Sequence, residues 1–441
     1  MESAYKEQSR IKSIFRAFRY RNYRLFFTGQ CISLIGTWIQ QIAMSWLIYH
    51  LTQSPLLLGA VGFASQIPSF LLSPFAGVWV DRLNKHRLII ITQAIFMILA
   101  MILAILTLTG LIQVWHIIVL GVVMGIANSF DMPARQAFIV EMVEDHKDLG
   151  NAIALNSSVF NLARLIGPAI AGGLIAFVGE SMCFFINAIS YIPVIIALSL
   201  MRIRFSSTKV DDVHIFQRLK EGVSYTFGFS PIRTILIFLA IMSFAGMPYM
   251  VLMPVFAKDV FHGSAQTLGY LMSASGVGAL FGALYLASRK SVLGLGKWIV
   301  ISAGLFGIGQ ILFSFVNTVS VALVLLSITG FGMVVHLAAS NTVLQTLVDE
   351  DKRGRVMSLY TMAFMGTAPF GSLMAGALGD KVGASNTILI CGIFILISNL
   401  VFALQLPSLR KDAKPVYIRK KIITDKVTNF ETSERNAEAI I

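Results

Sequence analysis

Twelve apolar runs, most of them twenty residues or longer, divide this chain of 441 residues. They lie at about 24–50, 55–80, 88–109, 113–133, 151–178, 182–201, 233–257, 266–287, 298–315, 319–340, 357–379 and 385–406, and are numbered here as spans one to twelve. A helix needs about 20 apolar residues to cross ~30 Å of hydrocarbon. Runs that recur along the whole chain do not fit a cleaved leader followed by a soluble body. Only 13 % of the residues are charged, against about 25 % in soluble domains, so lipid is the solvent that the composition fits. The expectation is an all-α integral membrane protein with twelve transmembrane helices in two pseudo-symmetric six-helix bundles.

Basic residues then orient the spans. Of 35 Lys and Arg, all but Lys258, Lys381 and Arg164 fall before span one, in alternate connections, or after Pro407. The positive-inside rule places both termini in the cytoplasm and the chain in the inner or plasma membrane as a multi-pass protein. The net charge of +13 is thereby a topology signal, with at most weak attraction to anionic lipid, and nucleic acid is not an expected partner. Cys31, Cys183 and Cys391 lie far apart inside apolar runs and match no metal or redox spacing.

Residues 1–201 form the first expected bundle, with its basic N-terminus, and 233–406 the second. The 202–232 connection has Ile215, Phe216, Leu219 and Val223 at helical spacing among Arg218 and Lys220, which suits a helix at the membrane surface. The basic, polar tail 407–441 reads as disordered. The halves resemble each other: a shift of 205 residues sets Gly77 on Gly282 and VEDHK (143–147) on VDEDK (348–352). A shift of 204 sets Gly167 on Gly371, Ala171-Gly172 on Ala375-Gly376, and Gly179 on Gly383. Parallel duplication of six-helix units is a transporter architecture, with the substrate held between the repeats. GLGK at 294–297 lacks phosphate-loop spacing. No metal, redox or serine-nucleophile pattern appears, so neither an enzyme nor a cofactor is expected.

The segment GVWVDRLNKHR (77–87) ends span two with a glycine, an acid four residues later, and then bases. Gly77 permits close helix approach, Asp81 suits a helix N-terminus, and Arg82, Lys85 and Arg87 suit pairing with loop acids. It resembles the loop 2–3 signature of the major facilitator superfamily, with His86 at one basic position. That resemblance implies the major facilitator fold, and a gating role for Asp81 and Arg82 at the cytoplasmic ends of the halves. In the second half Gly282 is kept, but Leu286 stands where the acid would be. NSFDMPARQAFIVEMV (128–143) is similar to the D-x-P-x-R-Q-A segment of the branch holding the enterobactin exporter and macrolide efflux proteins. Asp131, Arg135 and Glu141 are candidate partners for Arg82 and Arg87 in a gating cluster; a permanently solvated loop cluster is the alternative. The span-four arginine of many drug/proton antiporters is missing from Gly121-Val-Val-Met-Gly125.

Arg164 lies near the middle of span five, where an arginine costs about 2.5–3.5 kcal/mol on insertion scales. With Ser157, Asn161 and Pro168 it falls within about 60° of one helix face. As a site residue it would hold an anionic or catecholate-like group; as a structural residue it would bond neighbouring helices, Gln41 among them. Ser33, Thr37 and Gln41 beside Trp38 form a facing stripe in span one. Span seven offers Met247, Tyr249, Met250 and Met253 between Pro248 and Pro254, equally readable as core and hinge. His336, with Thr329 and Ser340, is a weaker stripe that reads first as a satisfied core histidine. Gly167-Pro168 and Gly172-Gly173 resemble the span-five antiporter motif, with one extra residue before the last pair and Ala163 at its upstream glycine. In the family this element seals the periplasmic side. Its small residues favour close packing against span eight, and Pro168 favours a kink.

The expected function is secondary active efflux of a small amphipathic molecule, such as a siderophore, macrolide or other drug, by alternating access with proton antiport in a monomer. A lipid or lysolipid flippase and a non-transporting membrane receptor are the alternatives. No acid stands out deep in a span; Asp131 and Glu141 are peripheral candidates for coupling.

Overall fold

The computed structural model describes residues 16–201, 215–289, 291–420 and 422–423. Every regular element among them is helical, and ten helices are long and apolar enough to cross a membrane. Twelve crossings would require counting one of these helices twice and adding a pair of shorter ones. His146–Ser199 holds 54 residues, and Gly179 inside it has φ 80° and ψ 173°. That conformation is open to glycine and strained for other residues, so spans five and six meet at Gly179. Span eleven is split into Arg353–Met365 and Ala368–Val382. Span seven runs through Ser230–Gly246 and Pro248–Val255, then a π turn over Phe256–Val260.

The chain falls into two compact units. The first comprises Met1–Ile48, Ala64–Asp211 and Ser264–Gly269; the second comprises Tyr49–Phe63, Asp212–Gly263 and Tyr270–Ile441. Each unit thus holds most of one expected bundle and a short piece of the other. The exchange follows from small residues. In the first unit a methyl group at Gly172 would lie 2.8 Å from the Ala265 carbonyl oxygen and 3.1 Å from Gly269 Cα. In the second, a methyl group at Gly376 would lie 2.6 Å from the Pro55 carbonyl oxygen and 2.9 Å from Gly59 Cα. Backbones approach here with no side chain between them.

The duplication extends beyond these seams. Gly383 has φ 86° and ψ 157°, close to the backbone of its counterpart Gly179. Gly167 rests on Trp38 of span one, and Gly371 on the backbone of Phe244 of span seven. At the base-rich end, Tyr20 donates to Asp148 at 3.2 Å in the first unit, and Tyr225 donates to Asp349 at 3.2 Å in the second. These tyrosines are 205 residues apart, the offset read from the sequence. Each has a cation near its ring: Arg19 at 4.8 Å and Lys352 at 5.4 Å.

The tail departs from expectation. Residues from 407 read as disordered, yet Ala384–Arg419 is one helix, with Pro407 and Pro415 inside it. Leu406, Leu409, Ala413 and Tyr417 are buried, at spacings of three, four and four that make one helix face. Arg419 pairs with Asp349 at 2.5 Å, and the Lys420 ammonium donates to the Thr346 and Val348 carbonyls at 2.8 and 2.6 Å. Partial burial pulls the Lys420 pKa below the ordinary lysine value, with Asp349 opposing. These bonds cap the end of Val319–Leu347 with positive charge, as the helix dipole favours. Residues 424–441 and the 202–214 part of the central loop lie outside the described residues. The amphipathic segment expected in that loop is a helix, Ile215–Gly228, held by Glu221–Arg355 at 2.8 Å.

Two outcomes follow for stability. Gly172→Val and Gly376→Val force side chains between touching backbones, at about 1–3 kcal/mol each; a lower melting temperature in detergent is expected, and an unchanged one contradicts the seams. Truncation after Leu406 removes a buried helix face and the Asp349 pairing, so the same assay should show a clear loss; a disordered tail would leave it unchanged.

Candidate functional site

Three side-chain groups are candidates to hold the chemistry. The first surrounds Asp131 in Val114–Met142. Asp131 is 4 % exposed and lies about 16 Å along the helix from its end at Met142. Its Oδ1 accepts from Thr92 Oγ1 at 2.5 Å and Gln93 Nε2 at 3.0 Å, while Oδ2 pairs with Arg135 Nε at 2.5 Å. The carboxylate is thus met by one cation and two neutral donors, as a buried charge requires. Asp131 bonds Arg135 one turn along its own helix, and Glu141 pairs with Lys85 at 2.9 Å. Arg82 and Arg87 are exposed, and the Arg87 backbone N–H donates to Asn84 Oδ1. The side chains at Gly77 and Asp81 lie outside the described residues.

Next to Asp131 a neutral network ties spans one, four and six together. Asn187 Nδ2 donates to Gln40 Oε1 at 2.7 Å, Gln40 Nε2 reaches Met124 sulfur at 3.8 Å, and Thr37 meets the Tyr191 hydroxyl at 3.5 Å. Gln40, Thr92, Gln93, Asn187 and Tyr191 were not read from the sequence as site residues. Their signal was present, as polar residues isolated within apolar runs.

The second group is Arg164. Trp38 packs edge-on against Phe160 at 6.1 Å, and a methyl group at Gly167 would lie 2.5 Å from Trp38 Cβ. Phe160, Arg164 and Gly167 share a helix face at spacings of four and three, so Arg164 lies between the two points where span five meets Trp38. Asn161 is half-buried and donates to its own helix, to the Ser157 carbonyl at 2.9 Å. Ser157, Thr37 and Gln41 are exposed in the first unit. Arg164 itself is half-buried, and among the described residues it has no hydrogen bond or ion pair. The structural alternative, a bond to Gln41, is not formed. Packing of Gly172 against span eight is present; Gly173 has open space around it.

The third group sits at the base-poor end of the second unit. Tyr49, closing span one, donates to Asp259 in the π turn of span seven. Ser54 Oγ donates to Asp380 at 3.5 Å, and Lys258 lies 5.7 Å from the Tyr49 ring centroid. Tyr49, Asp259, Asp380 and Asn386 line a cleft of about 420 Å³.

The second-half candidates go elsewhere. Tyr249 is 1 % exposed, donates to or accepts from Ser275 at 2.9 Å, and packs on Phe306. His336 is 1 % exposed, 5.1 Å edge-on from Phe238, with Nδ1 3.4 Å from the Ile299 carbonyl oxygen. Met253 is buried and Met247 half-buried. Tyr249 and His336 therefore sit in the interior of the second unit and do not present a surface to a ligand. No group of metal-ligating side chains occurs among the described residues.

Known proteins agree with this architecture. The chain is 29 % identical over 390 residues to the staphyloferrin A transporter of Staphylococcus aureus, covering 86 % of this chain and 95 % of that one. It is 26 % identical to the multidrug efflux pump Tap of Mycolicibacterium fortuitum, covering 85 % and 93 %. It is 22 % identical to macrolide efflux protein A of Streptococcus pyogenes, covering 86 % and 95 %. Among solved structures, a bacterial homologue of the iron transporter ferroportin in an inward-facing state superposes with a TM-score of 0.67 at 17 % identity, over 87 % of this chain and 98 % of that one, a likeness of fold. The transmembrane secretion effector family matches residues 12–430. The chain is a member of that family of major facilitator transporters.

Proposed function

We propose that the protein exports a small amphipathic molecule across the plasma membrane by alternating access, exchanging it for protons, with both termini in the cytoplasm and a single chain as the working unit. The observation that carries this reading is the pair of repeat-related glycine seams, Gly172 against Gly269 and Gly376 against Gly59. Contacts between bare backbones hold helices by close packing, with no side chains interlocked across the seam. Their position in matching helices of the two repeats suits a rocking motion about a central site. Export of siderophores, drugs or macrolides fits the relatives named above.

Asp131 is the proposed proton carrier. Intramembrane carboxylates are functional by default, and this one has a neutral cradle in Thr92 and Gln93 that persists in either protonation state. Protonation would release Arg135, converting a charge change into a movement of side chains. On this reading the Tyr49–Asp259 and Ser54–Asp380 bonds hold the external face shut.

The test uses proteoliposomes with an imposed pH gradient. Asp131→Asn keeps both neutral donors engaged and should abolish gradient-driven export while sparing equilibrium counterflow; Asp131→Ala also removes the acceptor of those donors, and both variants leave Arg135 without its counter-charge, at about 3–5 kcal/mol. Gradient-driven export by Asp131→Asn at the wild-type rate would remove Asp131 from coupling. Failure of the wild type to move any siderophore, macrolide or dye would remove the exporter reading itself.

A further inference from the structure

We infer that Arg164 is a recognition site for a substrate carboxylate, or another planar anion, carried next to an aromatic group. The inference rests on the transport reading above and adds the chemical class of what is carried. A guanidinium at mid-helix is costly to hold in a membrane and is ordinarily paired. Arg135 follows that rule through Asp131. Arg164 does not: it is half-buried, about 22 Å along the helix from the break at Gly179, and without a hydrogen bond or ion pair among the described residues. Its counter-charge has to come from outside the protein.

The helix shows which direction that is. Leu162, Ile166, Ile170 and Phe177 are exposed apolar residues at 48, 37, 38 and 84 %, and they project from the side of the helix opposite Arg164. That side suits lipid chains. On the Arg164 side, Phe160 and Gly167 touch Trp38, while Pro168 and Gly172 abut Gly269 of span eight. Arg164 therefore belongs to the stripe that meets other helices, at a level where the first unit leaves it uncovered. Trp38 and Phe160 supply an apolar wall beside it, and Gln41, exposed on span one, supplies a neutral donor. A planar fork next to aromatic faces is the pattern that takes a carboxylate bidentately while an attached ring packs alongside. The repeat gives an internal control. The shift of 204 residues that superposes the Gly167 and Gly371 seams places Ala368 at the Arg164 position. The equivalent position of the second half thus carries no cation.

The experiment compares two probes of equal size, pyrenebutyrate and pyrenebutyramide, binding to the full-length protein in nanodiscs of zwitterionic lipid. Quenching of tryptophan emission by pyrene is the readout. The wild type should bind the carboxylate about tenfold or more tightly than the amide, as for other charge-assisted bonds. Arg164→Gln should lose that preference while keeping amide affinity, monodispersity and melting temperature. Arg164→Lys should restore part of it, and Trp38→Phe should reduce the quenching. Equal binding of both probes by the wild type, or a preference that survives Arg164→Gln, overturns the inference. Discs containing phosphatidylglycerol separate the other anion source: if its phosphate suppresses the carboxylate preference at Arg164, the site is a lipid-headgroup site and the substrate assignment falls. Counterflow of pyrenebutyrate is measured in parallel. Selective binding without counterflow leaves the anion site standing and removes the transport reading on which its role depends.

Discussion

Contact between bare backbones is the constraint on which the rest of this structure depends. Gly172 against Gly269 and Gly376 against Gly59 bring helices closer than any side chain would allow. In lipid there is little hydrophobic drive to bring one helix to another, so close packing of small residues has to supply the attraction. The same contacts fix rotation about each helix axis. Once Gly172 faces span eight, Arg164 and Pro168 are committed to that side, and Leu162 and Ile166 to the other. The placement of polar groups is therefore a consequence of where the glycines are.

The charges inside the spans divide according to whether the protein answers them. Asp131 is met by Arg135, Thr92 and Gln93, and Asp259 by Tyr49. Met by partners, such groups do not leave an uncompensated charge facing lipid. Arg164 is left without one. Among the described residues the two arginines therefore differ: Arg135 is paired and Arg164 is not.

Fold class, family and the duplication were legible because they rest on features that repeat: apolar runs of the length of a bilayer, basic residues on alternate loops, and glycines at one offset. The Gly179 and Gly383 breaks, with their positive φ, lie at positions that the offset had already paired. The candidate site was legible only in part. Arg164, Trp38 and their stripes were visible because each lies on one helix. The depth of Asp131 was not, because DMPARQ reads as a loop-side motif, while the burial of Asp131 is set by residues on span three. Tyr249 and His336 stayed open between site and core, because a polar atom in an apolar run gives no sign of whether it faces the bundle's interior or its open side. The helical tail escaped because the basic, polar composition of 407–441 outweighed the spacing of Leu406, Leu409, Ala413 and Tyr417.

The exchange of short pieces between the two compact units has a consequence for how the chain is held together. The polypeptide passes from one unit to the other five times, near residues 48, 63, 211, 263 and 269. Four of those passages involve the borrowed pieces, and the long central connection is one link among five. A cut in that connection would leave two fragments, each carrying a piece that the other one's helices pack against. Such fragments would have to find each other to complete their own packing. Each compact unit thereby includes a short segment that belongs in sequence to the other half.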